Sequence, residues 1–308
     1  LALTIILWGL LTLFGTDSYT SLIRALSVIS TSGISGPENF RSDGAGFFGE
    51  LVIVLFLFIA LSRNIIMFLG KQLPLKSIVS DKEARLGLFI VLAVTLLLSF
   101  QQFIQASFYV ELNDKYGSLI ELIWGNFFTV FSFLTTNGYV SAFWNEFSST
   151  QDLSHTTIIL MSLCLFGGGV ATTAGGIKLI RISILFSAFS NETGKLLHPS
   201  SVTGPNNHMK SLKISVFMAW IFFMLFMVSL AGLTIVLATF EMLFEDAMVL
   251  AVACLTTTGP IVDVISLNKN LIFDLSLIPK LTLALGMALG RLEILVVLSL
   301  IAFGFNRA

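Results

Sequence analysis

The sequence predicts an all-α membrane protein built from a repeated helix–loop–helix unit, and three observations lead to this class. Apolar residues make up 56% of the chain and charged residues only 11%, whereas a soluble domain carries about 25% charged residues. Long apolar runs alternate with polar segments. A short Thr/Ser-x-Gly signature occurs three times between such runs. The few cysteines and histidines show no disulfide or metal-site spacing, and the near-neutral charge gives no reason to expect nucleic-acid binding.

The apolar runs are the predicted membrane helices, and they cover residues 1–14, 50–69, 86–110, 156–190, 211–240 and 276–303. Most are long enough to span ~30 Å of hydrocarbon, which takes about 20 helical residues. The first run is shorter and is already apolar at Leu1, with no charged segment or cleavage site. We therefore expect it to be a truncated helix within a longer protein, not a signal peptide.

A shorter element lies between the two runs of each pair, at 19–29, 119–133 and 242–255, and ends in one of the signatures. The recurrence predicts three units, at 1–70, 71–190 and 191–308. Such short helices cannot cross a membrane, and non-helical backbone at membrane depth must be buried in protein or line a wet cavity. The sequence therefore predicts repeated helix–pore-loop–helix units around a central pore, with the loops facing a common axis.

The three signatures are candidate cation ligands. Glycine allows a carbonyl to turn inward through backbone angles that other residues avoid, and backbone carbonyls can replace the hydration shell of a cation. Each glycine alone is more simply interpreted as a turn residue, but the threefold recurrence favours a filter. Its positions would be Thr31, Ser32, Gly33, Thr136, Asn137, Gly138, Thr257, Thr258 and Gly259.

A glycine-rich segment at residues 167–176 should break the fourth apolar run. A phosphate-binding loop does not fit, because Lys178 is followed by Leu179 and the required motif is absent. Close helix packing through small residues is the simpler interpretation. So dense a run, with two threonines, favours an irregular, mobile segment that lines a cavity. Its candidate residues are Gly167, Gly168, Gly169, Thr172, Thr173, Gly175 and Gly176.

Arg291 lies within the last apolar run. A charged residue inside a membrane helix is costly and is a functional candidate. A local pair with Glu293 is the alternative, although residues two positions apart do not face each other on a helix. We expect Arg291 to point into the pore below the filter.

The distribution of charge predicts the orientation. Loops on the side away from the signatures are basic, with Lys71, Lys76, Lys82, Arg85, Lys178, Arg181, Lys195, Lys210, Lys213 and Arg307. By the positive-inside rule these loops are cytoplasmic and the signatures face outward. The outer side carries acids that would either solubilise its loops or concentrate cations, and we favour the second role. They include Glu38, Asp43, Glu111, Asp114, Glu121, Glu241, Glu245, Asp246 and Asp263.

Several strings resemble the TrkH/TrkG branch of the Trk/Ktr/HKT potassium-transporter superfamily. They are G-G-G-V-A-T-T-A-G-G-I-K-L-I-R-I at 167–182, L-H-P at 197–199, T-T-T-G-P at 256–260 and L-G-R-L-E at 289–293. In that family four helix–pore-loop–helix repeats surround one potassium pore. The resemblance implies that the units here are the second to fourth repeats and that the first is missing.

The resemblance also implies a function and a set of roles. The chain would be the pore-forming subunit for potassium uptake across the bacterial inner (plasma) membrane, without enzymatic activity or a bound cofactor. K+ would bind at the nine signature positions, 167–176 would be an intramembrane gating loop, and Arg291 would be an electrostatic barrier below the filter. A homodimer in lipid and a cytosolic nucleotide-binding regulatory subunit of the TrkA type are the expected assembly.

Two other classes of function remain as alternatives. A secondary transporter would bind its substrate at broken helices near the midplane, but such carriers show paired interrupted helices, and this sequence has one. An intramembrane enzyme is the other. It is disfavoured because the histidines fall near predicted membrane edges without a nucleophile motif; these are His155, His198 and His208.

Overall fold

The computed structural model describes residues 2–34, 46–61, 82–108, 119–144, 155–169, 173–197, 207–240, 242–265, 272 and 275–291. The regular structure in these ranges is helical, which agrees with the predicted class. The helices are α1 (Ala2–Leu13), α2 (Ser18–Ser30), α3 (Gly46–Leu61), α4 (Lys82–Phe108), α5 (Leu119–Leu134), α6 (His155–Leu165), α7 (Leu179–Leu197), α8 (Asn207–Ala238), α9 (Phe244–Thr256), α10 (Ile261–Ile265) and α11 (Leu277–Arg291).

The same arrangement of helices occurs three times. Each of the short helices α2, α5 and α9 packs against the helix that precedes it, respectively α1, α4 and α8. The short helices lie close to the elements predicted at 19–29, 119–133 and 242–255. Contacts also join successive units, because α3 packs against α5 and α6 packs against α9. The unit boundaries at 70 and 190 stay a prediction: residue 70 lies outside the described ranges, and α7 runs continuously through residue 190.

The short helices lie inside the molecule and the long helices lie outside. Nearly every residue of α9 from Ala247 to Thr256 is buried. In contrast, α4 exposes a row of large apolar side chains, which suits a surface against lipid; it includes Phe89, Leu92, Leu96, Leu97, Phe100 and Phe103. An outward-facing row of large apolar side chains differs from the mostly polar helix surface expected in water.

Two of the described helices are long and apolar enough to span a membrane, over Glu83–Ile104 and Ser215–Ala238. Only 28% and 22% of their apolar windows are buried, so most of each faces outward. The fourth apolar run is divided as predicted: α6 ends at Leu165 and α7 begins at Leu179. The described part of the glycine segment (residues 167–176) lies between them and is not helical.

Candidate ion-binding site

Three loops follow the short helices, and each begins with a threonine in the left-handed backbone region. The loops are loop A (31–34), loop B (135–144) and loop C (257–260). Thr31, Thr136 and Thr257 have φ values of 46°, 60° and 57°. Left-handed backbone is unfavourable for β-branched residues and is usually taken by glycine or asparagine. Its recurrence at equivalent positions shows that the three loops share one backbone geometry.

The hydrogen bonds at the three helix ends are also equivalent. The residue after each left-handed threonine donates its N–H to a carbonyl five positions back: Ser32 to Ser27 (3.1 Å), Asn137 to Ser132 (3.0 Å) and Thr258 to Ala253 (2.9 Å). This is the Schellman arrangement that satisfies free carbonyls at a helix C-terminus. It turns the chain sharply at the end of each short helix.

The three loops meet at one place. A Cβ added to Gly33 of loop A would collide with the Asn137 carbonyl oxygen of loop B and would lie 2.9 Å from Cδ of Pro260 in loop C. A Cβ on Gly138 would lie 2.7 Å from Cγ2 of Thr258. Gly33 and Gly138 also have positive φ values of 66° and 73°. Glycine is therefore required at both positions by backbone conformation and by close approach.

Gly259 differs from the other two signature glycines. Its φ is not positive, it is exposed, and no described atom lies within 4 Å of the position of its Cβ. The sequence argument that every signature glycine takes a special backbone angle is therefore wrong for this one. The physical reason is Pro260, because the residue before a proline is restricted to extended backbone. The sharp turn of loop C occurs two residues earlier, at Thr257.

Buried polar atoms without hydrogen-bond partners are concentrated in loops B and C. Among the described residues they include Thr136 Oγ1, both amide atoms of the Asn137 side chain and Thr257 Oγ1. Such groups are rare in native proteins and call for an explanation such as a bound ion or water. The negative ends of three helix dipoles, those of α2, α5 and α9, lie beside these loops. The site therefore favours positive charge.

A stripe of small and hydroxyl-bearing residues on α5 holds loop B in place. The hydroxyl of Ser132 accepts the N–H of Tyr139 (2.6 Å), and that of Thr129 accepts the N–H of Ser141 (3.3 Å). One turn further back, a Cβ on Gly125 would lie 2.8 Å from the carbonyl oxygen of Phe143. These helix positions are three or four residues apart and lie on one face. Loop B therefore runs back along its own helix.

The glycine segment contacts the C-terminal ends of all three short helices. Thr173 donates its hydroxyl to the Ser30 carbonyl at the end of α2, and its oxygen lies 3.2 Å from Oγ1 of Thr31. A Cβ on Gly167 would lie 3.4 Å from Cγ2 of Thr136, beyond α5. A Cβ on Gly175 would lie 2.6 Å from the backbone carbonyl of Thr256, in α9. The segment thus lies against the helix ends from which the three loops begin.

The glycine segment returns close to its starting point. The N–H of Ile177 donates to the carbonyl of Leu165 (2.9 Å), which closes the segment between α6 and α7. Gly176 has a φ of 76° at this closure, and Gly175 leaves no room for a side chain. Thr172, the other threonine predicted for this segment, lies outside the described residues.

Arg291 is exposed at the end of α11. A Cβ on the preceding residue, Gly290, would collide with the backbone of Leu255 in α9, and the Cβ position of Gly175 lies 2.7 Å from the same Leu255 carbonyl oxygen. The last residues of α11 therefore lie beside the glycine segment. The direction of Arg291 toward a pore stays a prediction, and its alternative partner Glu293 lies outside the described residues.

The acids predicted for the outer side are described in part. Glu121, Glu245 and Asp263 are exposed, at the N-terminal ends of α5, α9 and α10 or close to them. Five of the predicted outer acids lie outside the described residues: Glu38, Asp43, Glu111, Asp114 and Glu241.

Two buried charged residues near the loops escaped the sequence analysis. Arg24 of α2 and Glu50 of α3 are both almost completely buried. In the sequence, each of them is a single charged residue in an otherwise apolar stretch, as Arg291 is. Arg24 lies in the middle of the predicted element at 19–29, and Glu50 is the first residue of the run at 50–69.

The comparison with protein families decides the assignment. The family model described as "TrkH: Cation transport protein" matches residues 5–304. The chain belongs to this family. The match covers the short helices, the three loops, the glycine segment and Arg291, so the residues that meet in the structure all lie within the part shared with the family.

Individual relatives agree with the family match. The chain is 27% identical to the Trk system potassium uptake protein TrkG of Escherichia coli and 26% identical to TrkH of the same organism, over 96% and 95% of its length. The crystal structure of the potassium transporter TrkH from Vibrio parahaemolyticus is similar with a TM-score of 0.78 at 23% identity, over 97% of this chain and 61% of that one. The chain spans 58% of the length of the two Escherichia coli relatives.

Proposed function

We propose that this protein conducts K+ through the site where loops A, B and C meet, as part of the pore-forming subunit of a Trk-type potassium uptake system. The convergence of the three loops carries the proposal. Three helix C-termini point their partial negative charge at a place with unpartnered buried polar atoms. That combination suits a dehydrated monovalent cation, because carbonyl and hydroxyl oxygens supply ligands without a full negative charge.

The nine signature residues have the role of a selectivity filter in this proposal. The carbonyls of Thr31, Thr136 and Thr257 and of the two residues that follow each would replace water around K+. The shared left-handed turn supports equivalent contributions from the three loops. The relatives TrkG and TrkH of Escherichia coli are named as potassium uptake proteins, which supports K+ as the transported ion.

The glycine segment has the role of a gate. Its contacts with the ends of α2, α5 and α9 support a position on the opposite side of the filter from the outer acids. Displacement of the segment would open a path below the filter. Arg291 lies beside it and would repel cations that rest there, which would lower ion occupancy at the gate.

The remaining elements of the proposal concern orientation and assembly. The positive-inside rule supports an inner-membrane protein whose loops A, B and C face outward and whose basic segments face the cytoplasm. A homodimer and a cytosolic nucleotide-binding subunit of the TrkA type, which would act on the gate, complete the proposed transport system.

Potassium uptake in a bacterial host that lacks its own potassium transporters tests this function. The protein is expressed from its complete reading frame, together with a TrkA-type subunit. Growth at low K+ and Rb+ uptake above the empty-vector level are expected. Membrane-inserted protein that supports neither, while E. coli TrkH does in the same host, would overturn the proposal.

A further inference from the structure

Glu50 is a buried carboxylate in the first turns of α3, in the stretch G-F-F-G-E-L-V. Only 1% of its surface is exposed. Acidic residues are almost never fully buried unless they are paired, because removing an ionised carboxylate from water is costly. The remainder of α3 is apolar, so the partners of Glu50 must come from another element.

The partners of Glu50 all belong to the following unit of the chain. Ser141 Oγ lies 2.7 and 2.8 Å from the two carboxylate oxygens, the N–H of Ala142 donates to Oε1 at 2.7 Å, and Trp124 Nε1–H donates to Oε2 at 2.8 Å. Trp124 lies on α5, and the other two residues lie in loop B. Glu50, which belongs to α3, therefore links loop B to α5.

Every one of these partners is a donor. The amide of Ala142 and the indole of Trp124 cannot accept a hydrogen bond. The Ser141 hydroxyl accepts the N–H of Phe143 (3.1 Å), so its own proton is available for Glu50. Both carboxylate oxygens must therefore act as acceptors, and an ionised carboxylate meets this requirement while a carboxamide does not.

The position of these contacts connects Glu50 to ion selection. Ser141 and Ala142 lie three and four residues beyond Gly138, on the part of loop B that runs back along α5. Ser141 also donates its N–H to Thr129 Oγ1 (3.3 Å). The carboxylate thus fixes the distal end of a short segment whose proximal end is fixed by the left-handed turn at Thr136. The carbonyls between these two points can shift only if one of the attachments is lost.

We propose that Glu50 is a positioning residue that sets the ion discrimination of loop B by anchoring its distal end with an ionised carboxylate. This inference rests on the proposed potassium conduction. Glu50 does not touch the ion. It holds Ser141, Ala142 and Trp124 so that the carbonyls at residues 136–138 keep the spacing that suits K+ over Na+.

Glu50→Gln tests the requirement for two acceptors with almost no change in volume. A glutamine would place an amide donor against one of the three donors, and the loop would move away. We expect the ratio of K+ to Na+ uptake to fall about tenfold, as for loss of hydrogen bonds to a charged group. Glu192→Gln is the matched control, because Glu192 is exposed on α7, away from the three loops; its uptake ratio should remain that of the unmodified protein.

A second substitution separates positioning from general destabilisation. Trp124→Phe removes the indole N–H that donates to Oε2 of Glu50. In the double variant with Glu50→Gln, the glutamine NH2 group would then face the phenylalanine ring and no longer another N–H donor. The double variant should regain most of the uptake ratio lost in Glu50→Gln, a non-additive result that indicates direct coupling. Membrane abundance is measured on the same cells, and a purely structural role would lower abundance without changing the ratio per molecule.

Two outcomes would overturn the inference and leave the proposed function intact. One is an uptake ratio in Glu50→Gln equal to that in Glu192→Gln. The other is a reduced ratio in Glu50→Gln that Trp124→Phe does not raise. Absence of K+ uptake by the unmodified protein is a different result, since it would contradict the proposed function itself.

Discussion

The left-handed threonines are the residues in which this site stores strain. Thr31, Thr136 and Thr257 each adopt backbone angles that cost an L-residue about 1–2 kcal/mol. Glycine would avoid this cost, but it would also leave the turn free to take other conformations. Strained residues persist where the surrounding structure fixes them, and they are concentrated at functional sites. Threonine at these positions therefore lowers the free energy of unfolding but restricts each loop to one backbone conformation.

Thr257→Gly should separate stability from selectivity. Removal of the Cβ relieves the left-handed strain, so we expect the free energy of unfolding to rise by ~1 kcal/mol. The freer backbone of loop C should lower the ratio of K+ to Na+ uptake. Thr239→Gly is the control, because Thr239 lies in a turn without positive φ and its substitution should lower stability. Thermal unfolding in detergent measures the first quantity, and a lower melting temperature for Thr257→Gly would contradict the strain argument.

Two signature glycines that look alike in the sequence should respond differently to the same substitution. Gly138→Ser places a side chain at positive φ and 2.7 Å from Thr258 Cγ2, so loops B and C must separate. We expect about a tenfold loss of K+ over Na+ discrimination, equivalent to about 1.4 kcal/mol. Gly259→Ser meets open space at a residue without positive φ and should keep the original ratio. Equal effects in the two variants, measured by uptake of each ion, would argue against the convergence of the loops.

At the scale of elements, the short helices were predictable and their contacts were not. Hydropathy and the recurring signatures place α2, α5 and α9 within a few residues of their observed bounds, and five glycines predict the break between α6 and α7. Sequence gives no comparable signal for the bond between Glu50 and Ser141, which are 91 residues apart. Local periodicity reports on a helix and its neighbours along the chain, whereas this bond depends on how α3 packs against α5.

The left-handed turns illustrate the same limit at shorter range. Sequence patterns for a helix C-terminus rely on glycine just after the last turn, and here that position is a threonine in all three units. The glycine of each Thr/Ser-x-Gly signature comes two residues after this threonine. Only the repeated geometry of the three loops reveals that threonine makes the turn.

The glycine segment should be loosened by removing one hydrogen bond. Thr173→Val keeps the shape of the side chain but loses the bond from its hydroxyl to the Ser30 carbonyl. A neutral hydrogen bond contributes about 1 kcal/mol, so the segment should leave the helix ends more often and K+ flux should rise up to roughly fivefold. Thr193→Val is the matched control, since the hydroxyl of Thr193 bonds only carbonyls of its own helix in the described structure. Flux is measured per molecule in proteoliposomes, and lower flux from Thr173→Val would mean that the bond supports folding and not closure.

At the scale of the whole molecule, the distribution of charge supports the proposed orientation. The exposed acids at the starts of α5 and α9 lie at the opposite end of these helices from the glycine segment. The segment leads directly into α7, which follows Lys178 and carries Arg181 in its first turn. If α5 begins at the outer surface, its C-terminal dipole points inward toward the filter and α7 lies on the cytoplasmic side. The positive-inside rule predicts the same arrangement.

Labelling of single introduced cysteines tests this orientation in intact cells. Glu121 of α5 and Asn191 of α7 are both exposed, while the native Cys164 and Cys254 are buried and should react slowly. A membrane-impermeant maleimide should therefore label Glu121→Cys from outside and should label Asn191→Cys only after permeabilisation. The fold is compatible with either orientation across a bilayer, so the distribution of Lys and Arg determines which side of the protein faces the cytoplasm. Labelling of Asn191→Cys in intact cells would place the glycine segment on the outer side of the filter, and it could not then be a cytoplasmic gate.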